Sequence, residues 1–467
     1  MSFNIFVITD THLFENSLGA EGEAYEVRSR TDQKCVAETG AILEVAFNDI
    51  AKDKTTDTVI IPGDLVYRGE VESHISFKKM LYKLEEAGKK IYVVTAPHDY
   101  GTAEPDYKCE TVGFVEDKKI PVEGMARENL REFYKDFGFD KAISEHTETM
   151  SYCVALNDKI RLLAINVDGD YKDNVGSISD NQMEWIKSQI IDAHNAGCYI
   201  FAMMHYPLLP GSPVMALISD AKIKNWEKRA TELANTGLDL IFTGHMHMQS
   251  YNKFTTEKGN TITDVCTGSI VGWPARYRKV TFNDNGIITI RSLKIDDFEF
   301  RDKGNMSSED YFKWRFDRMI TDAIDGMAYN FPAFARFFGG EEKCKKIKPI
   351  VTVAGKVLQK LTIGGIGRIF FFKVDDSIKD ILLKDIIVEF VRNIFTGDQP
   401  YTKGTPIYEA CDKLFKRLNP VIKVIENKIG SKNPIFKDIP GFVLSLIGKE
   451  EKLDNNCDIK VNYDFEV

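Results

Sequence analysis

The sequence predicts an α/β fold over about the first 300 residues and a mainly helical region after them. Three observations lead to this prediction. Short apolar runs rich in β-branched residues alternate with segments of helical periodicity through the first 200 residues. A pattern of short strands and turns fills residues 248–295. Helical periodicity dominates from residue 308 onward.

The buried strands of the first region are predicted from short apolar runs. These runs are FNIFVIT (3–9), TVIIP (58–62), KIYVVTA (90–96), CYIFAMM (198–204) and LDLIFTG (238–244). A helix is predicted from about residue 70 to 88, because its apolar side chains recur on one face. Another begins after Ser179, which forms a capping-box signature with Gln182, and stops at Gly197. NDNG (283–286) predicts a hairpin turn.

Residues 301–467 form the second predicted domain, because the pattern of elements changes at its start. Amphipathic segments such as IKDILLKDIIVEFVRNIF (378–395) and IYEACDKLFKRL (407–418) predict helices there. A Gly/Pro-rich loop, residues 395–406, lies between them and could border an anionic substrate. This domain is therefore a candidate cap over an active site in residues 1–300.

Length and charge exclude some classes of protein. A chain of 467 residues is too long for one ordinary core, so two domains are expected. A formal net charge of −9 argues against a general or sequence-specific nucleic-acid binder. Residues 301–467 nevertheless carry 28 basic and 24 acidic side chains, against 33 and 46 in residues 1–300. The acidic first region suits bound cations, and the mildly basic second region suits an anionic substrate.

The sequence favours a cytoplasmic protein. Its N-terminus is typical of a strand rather than of a signal peptide, and no uncharged apolar run is long enough to span a membrane. The eight cysteines are scattered and form no C-x-x-C pair, as is typical of reduced thiols. No pattern in the chain predicts an oligomeric state.

Five of the eight histidines follow the ends of predicted strands, in short polar motifs. Because ligands of α/β sheets bind beyond the carboxyl ends of the strands, these motifs are expected to converge at one edge. In chain order the motifs offer Asp10 and His12 in ITDTHL, Asp64 in IPGDLVYRGE, His98 in TAPHDY, His205 in MMHYP, and His245 and His247 in FTGHMHM.

Histidine and aspartate with few thiols nearby are typical ligands of borderline divalent cations such as Mn, Fe or Zn. A D-x-H or H-x-H spacing places two ligands at alternate positions of a loop, so that both can turn toward one ion. Any single motif of this kind is more often explained by structural histidines. Five motifs at consistent places make that explanation improbable, and the sequence predicts a metal site.

The order of these motifs resembles that of the calcineurin-like metallophosphoesterases, over about residues 1–300. D-x-H, G-D, a histidine–acid pair, H and G-H-x-H follow one another, and GDLVYRGEVESHISFKKMLYKLEEAGKKIYVVTAPHDYG is especially close to the family pattern. The resemblance implies a four-layer αββα sandwich with two divalent metal ions at the strand ends. It also implies the ligands: Asp10, His12 and His247 for the first ion, Asp64 bridging both ions, and His205 and His245 for the second.

The resemblance further implies a hydrolase that cleaves a phosphate mono- or diester with a hydroxide bridging the dinuclear centre. His98 would protonate the leaving group, with Asp99 orienting its ring. Arg68 and Tyr100 neighbour these positions and are candidates for substrate contact. Two questions stay open: whether the ester is a monoester or a diester, and whether the chain is instead a binding or scaffold protein with a single well-bound metal and weakened turnover.

One position departs from the family motif. Where the family has Gly-Asn-His followed by Asp or Glu, this chain has Ala96, Pro97, His98 and Asp99. The asparagine normally gives a side-chain oxygen to the second metal, and proline has none. We therefore expect the second metal site to bind more weakly, with the hydroxyl of Thr95 or a water taking the place of the missing ligand.

Overall fold

The computed structural model describes residues 2–104, 109–168, 176–212, 215–300, 303–336, 341–429, 438–447, 451–461 and 463. The chain divides into two compact units. The first unit consists of Met1–Gly211, Met215–Lys313 and Leu453–Val467, and the second of Ser212–Val214 and Trp314–Lys452.

The strands, in chain order, are β1 (Phe3–Val7), β2 (Thr58–Pro62), β3 (Lys90–Val94), β4 (Val112–Val115), β5 (Lys118–Pro121), β6 (Ser144–His146), β7 (Ser151–Ala155), β8 (Ile160–Ile165), β9 (Tyr199–Met204), β10 (Leu240–Thr243), β11 (Ser250–Thr255), β12 (Thr261–Cys266), β13 (Arg276–Asn283), β14 (Ile287–Lys294) and β15 (Asn456–Lys460). The α-helices are α1 (Glu23–Thr31), α2 (Thr39–Lys52), α3 (Val71–Glu86), α4 (Arg127–Phe133), α5 (Asp180–Asn195), α6 (Trp226–Thr236), α7 (Ser308–Tyr329), α8 (Phe331–Arg336), α9 (Glu341–Cys344), α10 (Lys348–Leu358), α11 (Ile363–Ile369), α12 (Leu383–Thr396), α13 (Pro406–Ile429) and α14 (Ile439–Ile447).

Each large sheet contains a run of neighbouring parallel strands, at one side of the first sheet and in the middle of the second. The first sheet has the order β15-β14-β13-β1-β2-β3, in which β1, β2 and β3 run parallel. The second sheet has the order β11-β12-β10-β9-β8-β7-β6, in which β8, β9 and β10 run parallel. β4 and β5 form a separate hairpin. The carboxyl ends of β1, β2 and β3 therefore meet at one edge of their sheet, and those of β8, β9 and β10 at one edge of theirs.

The two sheets of the first unit pack face to face, with helices on the outside of each. The Tyr152 hydroxyl on β7 donates a hydrogen bond to the Val93 carbonyl on β3, at 2.7 Å. α2 and α3 cover the first sheet with buried apolar faces. α5 and α6 cover the second sheet and share one apolar core with it. The predicted αββα sandwich is confirmed. The carboxyl ends of the parallel strands in the two sheets lie close together, and so do the polar residues that follow them.

The cap of α5 agrees in part with the predicted capping box. Ser179 Oγ accepts a hydrogen bond from the Gln182 backbone N–H at 3.1 Å, and Gly197 follows the helix with a φ of 71°. The Gln182 side chain does not return to the cap, because it donates to Ser151 Oγ at 3.0 Å. The helix therefore begins where the sequence predicts, with only one of the two reciprocal bonds.

The structure differs from the predicted division at residue 300 in two respects. The first unit continues to Lys313, inside α7, and it also takes in residues 453–467. The second difference arises because β15 pairs antiparallel with β14 at the edge of the first sheet. The pairing joins segments that are far apart in the chain, so no local pattern in the sequence indicates it.

The second unit is mainly helical, as predicted. Ile363, Ile378, Tyr401, Ile407 and Ala410 form a buried apolar cluster within it. Tyr401, from the Gly/Pro-rich loop, thus packs in the core of its own unit. The capping role of this domain stays a prediction.

Two expectations drawn from composition can be compared with the structure. No helix within the described ranges is both long and apolar enough to cross a membrane. All eight cysteines are free thiols, and seven of them are buried. The cytoplasmic location stays a prediction.

Candidate metal centre

The six predicted metal ligands lie together at the strand ends. Asp10 and His12 follow β1, Asp64 follows β2, His205 follows β9, and His245 and His247 follow β10. They form two groups, in each of which one ligand atom per residue lies within 4.8 Å of the others. We call Asp10, His12, Asp64 and His247 the first cluster, and Asp64, His205 and His245 the second cluster.

The backbone at these ligands is strained. Five of the six adopt a positive φ, a region that residues with a side chain rarely enter: Asp10 at 52°, His12 at 38°, Asp64 at 50°, His245 at 67° and His247 at 53°. Each such residue costs on the order of 1 kcal/mol or more relative to ordinary backbone. Strain concentrated on the ligand positions is typical of a site whose geometry is selected for function.

Two glycines of the motifs are required by close approach. A Cβ on Gly63, which has a φ of 93°, would lie 2.7 Å from the Ala96 Cβ and 2.8 Å from His205 Nδ1. A Cβ on Gly244 would lie 2.4 Å from Asp10 Oδ2. The glycine of the G-D motif and the glycine of the G-H-x-H motif therefore leave room for ligands that come from other strands.

In the first cluster two imidazole nitrogens face each other. His12 Nε2 and His247 Nε2 lie 3.0 Å apart, and His247 Nε2 lies 3.3 Å from Asp10 Oδ1. His12 Nε2 is also 3.6 Å from Asp64 Oδ2. Nδ1 of His247 lies 2.9 Å from Gln33 Oε1, an acceptor, so Nδ1 carries the proton and Nε2 presents a lone pair.

The electrostatics of the first cluster keep one ring neutral. Burial lowers the pKa of His12 well below its usual value, and the nearby Lys34 ammonium lowers it further, although Asp64 opposes both effects. A neutral imidazole beside two carboxylates is the form that binds a divalent cation.

In the second cluster the His205 ring lies against the shared Asp64 carboxylate. His205 Nδ1 donates to the Pro62 carbonyl at 2.9 Å, and its Nε2 lies 3.1 Å from Asp64 Oδ2. Burial lowers the pKa of His205, but the Asp64 carboxylate outweighs this effect and raises the pKa to about 10. His245 Nε2 is 2.8 Å from the Asp220 carbonyl, an acceptor, which leaves Nδ1 as the lone-pair atom.

The ring of His98 is held by a backbone carbonyl and not by Asp99. His98 Nδ1 donates to the Tyr67 carbonyl at 2.6 Å. The His98 backbone N–H donates to Asp64 Oδ1 at 3.1 Å, and the His98 and His12 ring centroids are 4.9 Å apart. His98 therefore lies next to both clusters.

The predicted role of Asp99 in orienting His98 is thus wrong. Asp99 Oδ1 accepts hydrogen bonds from the backbone N–H groups of Leu65 and Val66, at 2.7 and 3.0 Å. Its Oδ2 accepts from the Ala96 N–H at 2.8 Å. With three backbone donors the carboxylate joins the loop after β2 to the end of β3, and so positions Asp64 and His98 through the backbone.

Pro97 begins a single 3₁₀ turn, Pro97–Asp99, after β3. Thr95 Oγ1 accepts a hydrogen bond from Asn166 Nδ2 at 3.0 Å. The replacement of the missing asparagine by this hydroxyl or by a water stays a prediction.

The two candidate substrate residues lie close to the clusters. Arg68 Nε donates to the Glu110 carbonyl at 3.0 Å, and its charge contributes to the lowered pKa of His98. Tyr100 is buried, and burial followed by the charge of Asp168 raises its pKa. Their contact with a substrate stays a prediction.

The sequence assigned no role to three residues that lie near the clusters. Gln33 holds His247, Lys34 lies near His12 and His98, and the Asp220 carbonyl holds His245. Gln33 and Lys34 belong to the segment between α1 and α2, away from any strand end. No motif marks them, and a backbone carbonyl such as that of Asp220 carries no signal in residue type.

Asp168 is a buried carboxyl group near the second cluster. It is 4% exposed, and neither oxygen has a hydrogen-bond partner among the described residues. Burial raises the pKa of Asp168 to about 7, while the charges of Arg127 and His205 act in the opposite direction. The sequence suggests that Asp168 and Asp170 could support a ligand. Asp170 lies outside the described residues.

The family of the chain is identified by comparison with sequence models of protein families. A sequence model of one family, described as calcineurin-like phosphoesterase, matches residues 3–249 of the chain. The chain belongs to this family. The match covers both clusters and His98, and the resemblance predicted from the order of the motifs is confirmed.

Solved structures that match this calcineurin-like phosphoesterase share little sequence with it. A dimetal phosphatase from Danio rerio is 12% identical and is matched over 62% of this chain and 97% of its own, with a TM-score of 0.45. A purple acid phosphatase from yellow lupin (Lupinus luteus) seeds is 13% identical, with coverages of 64% and 53% and a TM-score of 0.37. A Haemophilus influenzae NAD nucleotidase is 12% identical, with coverages of 78% and 62% and a TM-score of 0.28. No curated protein sequence matches the chain significantly.

Proposed function

We propose that this member of the calcineurin-like phosphoesterase family is a metal-dependent hydrolase of phosphate mono- or diesters that uses two divalent cations. The observation that carries the proposal is the pair of ligand clusters that share Asp64 where the strands end. The donors are carboxylate oxygens and imidazole nitrogens without a thiolate, a set that suits Mn, Fe or Zn. The strained backbone at five of the six ligands supports the same proposal.

The first cluster would hold one cation and the second cluster the other, with the Asp64 carboxylate serving both. When bound, two divalent cations neutralise charge on a phosphoryl group and activate water for attack on phosphorus. The chain keeps the ligands in place: the Gln33 amide fixes His247, and the carbonyls of Pro62 and Asp220 fix His205 and His245. Such supporting contacts set the orientation of ligand rings.

His98 is the proposed proton donor to the leaving oxygen. Its Nδ1–H is occupied by the Tyr67 carbonyl, so Nε2 is the atom left to exchange a proton. Burial lowers the pKa of His98 to about 4, with Lys34 and Arg68 adding to the effect against the opposing charge of Asp64. An anionic ester close to the ring raises this pKa. The ring would then be protonated only when substrate is bound.

Asp99 is proposed as a positioning residue, because it ties the backbone that carries Asp64 and His98. Arg68 and Tyr100 are proposed to contact the substrate beside His98. The weaker second site, which follows from Pro97, is part of the same proposal.

Removal and return of the metal test the proposed function. Protein treated with a chelator should lose hydrolysis of an aryl phosphate monoester and an aryl phosphodiester, and should regain it with added Mn. The ratio of the two rates in the restored protein decides between monoesterase and diesterase. Activity that survives when elemental analysis finds no bound metal would overturn the proposal.

The role of His98 has its own test. His98→Ala should lower kcat about 10²–10⁴-fold for esters with poor leaving groups, and far less for a nitrophenyl ester, because a good leaving group needs no proton. Metal content should stay unchanged. His194→Ala, at the far end of α5, is the control and should behave as wild type. Equal losses for both kinds of ester would contradict the acid role.

A further inference from the structure

Arg28, Asp32, Lys34 and Tyr67 form a group of polar side chains in the first unit, which we call the Lys34 cluster; Lys34 and Tyr67 are buried, and the Arg28 side chain is 32% exposed. Asp32 accepts a hydrogen bond from the Tyr67 hydroxyl at 2.7 Å. The same carboxylate lies 2.9 Å from Arg28 Nη2 and 3.3 Å from Lys34 Nζ. Lys34 Nζ also lies 5.6 Å from the centroid of the Tyr67 ring. Lys34 is only 9% exposed.

The Lys34 cluster adjoins the metal ligands on two sides. Gln33, next to Lys34 in the chain, holds His247, and the Tyr67 carbonyl holds His98. The ring of His12 is between these two histidines, 4.9 Å from the His98 ring and 5.0 Å from the His247 ring.

The Lys34 cluster holds one positive charge more than its own carboxylate can balance. Among the described residues, Asp32 is the only acid that forms an ion pair with Arg28 or Lys34. Lys34 is the buried cation of the pair and shares Asp32 with the partly exposed Arg28, so its charge is only partly balanced, which is costly next to a centre that takes up divalent cations. Such an arrangement is favourable when an anion binds between the cations. A phosphoryl group is the anion that the proposed function supplies.

We propose that Lys34 binds a non-bridging phosphoryl oxygen of the substrate and makes the site select dianionic phosphate monoesters over monoanionic diesters. This inference rests on the proposed function and adds the substrate class to it. The Asp32 carboxylate and the Tyr67 ring would hold the ammonium in place, so that little side-chain entropy is lost on binding.

The selection follows from the charge of the ligand. Coulomb energy is proportional to the product of the charges, so the loss of one cation costs a dianion about twice the free energy that it costs a monoanion. If neutralising Lys34 weakens a monoanion about tenfold, it should weaken a dianion about a hundredfold, since free energies add as logarithms of affinity.

Binding of two anions, without turnover, tests the inference. Calorimetric titration of Mn-loaded protein with inorganic phosphate at about pH 8, where phosphate is largely a dianion, is compared with titration by dimethyl phosphate, a monoanion. Lys34→Met removes the charge and keeps the apolar stem, and Lys34→Arg keeps the charge. Lys89→Met is the matched control, because Lys89 is 5% exposed and donates to the Thr56 carbonyl at 2.5 Å, before β3 and away from the strand ends.

In Lys34→Met the affinity for phosphate should fall about a hundredfold and that for dimethyl phosphate about tenfold. Lys34→Arg should keep most of the preference, and Lys89→Met all of it, with metal content unchanged in each. The ratio of aryl monoester to aryl diester hydrolysis should fall in Lys34→Met. Equal losses for the two anions, or an unchanged affinity for phosphate, would overturn the inference.

The failure of the inference can be told from failure of the proposed function. If wild-type protein shows metal-dependent hydrolysis but Lys34→Met keeps its preference for the dianion, only the inference is wrong. If Mn-loaded wild-type protein binds neither anion and hydrolyses no ester, the proposed function is wrong. Should Lys34→Met fail to fold, Lys34→Gln, which can still donate a hydrogen bond to Asp32, takes its place under the same criteria.

Discussion

The first cluster offers four side chains to a cation, and the second offers three, although both share Asp64. The rings also differ in their state. In the first cluster burial lowers the pKa of His12, whereas in the second the Asp64 carboxylate raises the pKa of His205. Pro97 stands where the family motif has asparagine and has no side-chain oxygen to offer, so the two clusters have unequal ligand sets. We expect unequal affinities as a result.

The largest expected effect comes from the residue that both clusters share. Asp64→Ala should remove both cations and lower activity at least about a thousandfold, because two cation charges lose a common partner. His247→Ala should instead remove the first cation and leave the second cluster intact. Elemental analysis and a rate assay measure both outcomes. Asp239→Ala, which removes a carboxylate before β10 at the opposite end of the strand, serves as the control. Retention of one tightly bound cation in Asp64→Ala would contradict the shared role.

A smaller effect is expected from pH, and it should separate the two clusters. A cation must displace the proton of His205, so its affinity for the second cluster should fall about tenfold for each pH unit below the raised pKa of about 10. Binding to the first cluster needs no displacement at His12. Metal titrations at several pH values, with proton release followed by calorimetry, should show a metal affinity that depends steeply on pH at the second cluster and weakly at the first. An equal dependence of affinity on pH for both cations would contradict the predicted difference between the clusters.

The same proton affects the stability of the metal-free protein. Because the pKa of His205 is raised in the folded state, its contribution is fully present below the ordinary pKa of about 6.5. This contribution is lost as pH rises through the folded value of about 10.

The difference in ligand number should respond to a single substitution. Pro97→Asn restores a side-chain oxygen and should tighten binding at the second cluster about tenfold or more. It should also lower the free energy of unfolding by about 0.4–1 kcal/mol, since the unfolded chain gains freedom. Pro97→Ala is the matched control, because it frees the backbone and adds no oxygen. If the asparagine variant binds no tighter than the alanine variant, another group already supplies the ligand.

An effect on stability alone is expected from Asp168, whose buried carboxyl lies on the side of the second cluster. Its folded pKa of about 7 is above its ordinary value of 3.8, so ionisation destabilises the fold as pH rises between these values. Asp168→Asn should therefore raise the free energy of unfolding of the metal-free protein by about 1–3 kcal/mol at pH 8, and change nothing near pH 4. Urea denaturation at the two pH values measures this. A lower stability of the variant at pH 8 would show that the carboxylate has a stabilising partner.

The positions of the ligands could be predicted because they depend on sheet topology. Asp10 and Asp64 follow parallel neighbours of one sheet, His205 and His245 follow parallel neighbours of the other, and parallel strands end at a common edge. The sequence therefore indicated the residues of both clusters, and the fold class with them. Gly63 and Gly244 belong to the same motifs because a side chain at either position would collide with a ligand from another strand.

The remaining features depend on contacts that leave no pattern in the chain. The Tyr67 carbonyl, and not Asp99, holds His98, and every residue type has a carbonyl. Lys34 belongs to a segment without periodicity, and its proposed role depends on the residues that lie near it in the fold. β15 pairs with β14 across the whole second unit, and such long-range pairing is not encoded in any short window.

The return of β15 to the first sheet affects how the protein is made on the ribosome. β14 is complete at Lys294, but the strand that covers its edge ends at Lys460. At a synthesis rate of about 5–20 residues per second, the edge of β14 waits roughly 10–30 s for its partner. An uncovered edge strand invites pairing with other chains during that time. Translation speed and chaperone access over the second unit should therefore influence how much of the newly made protein escapes aggregation.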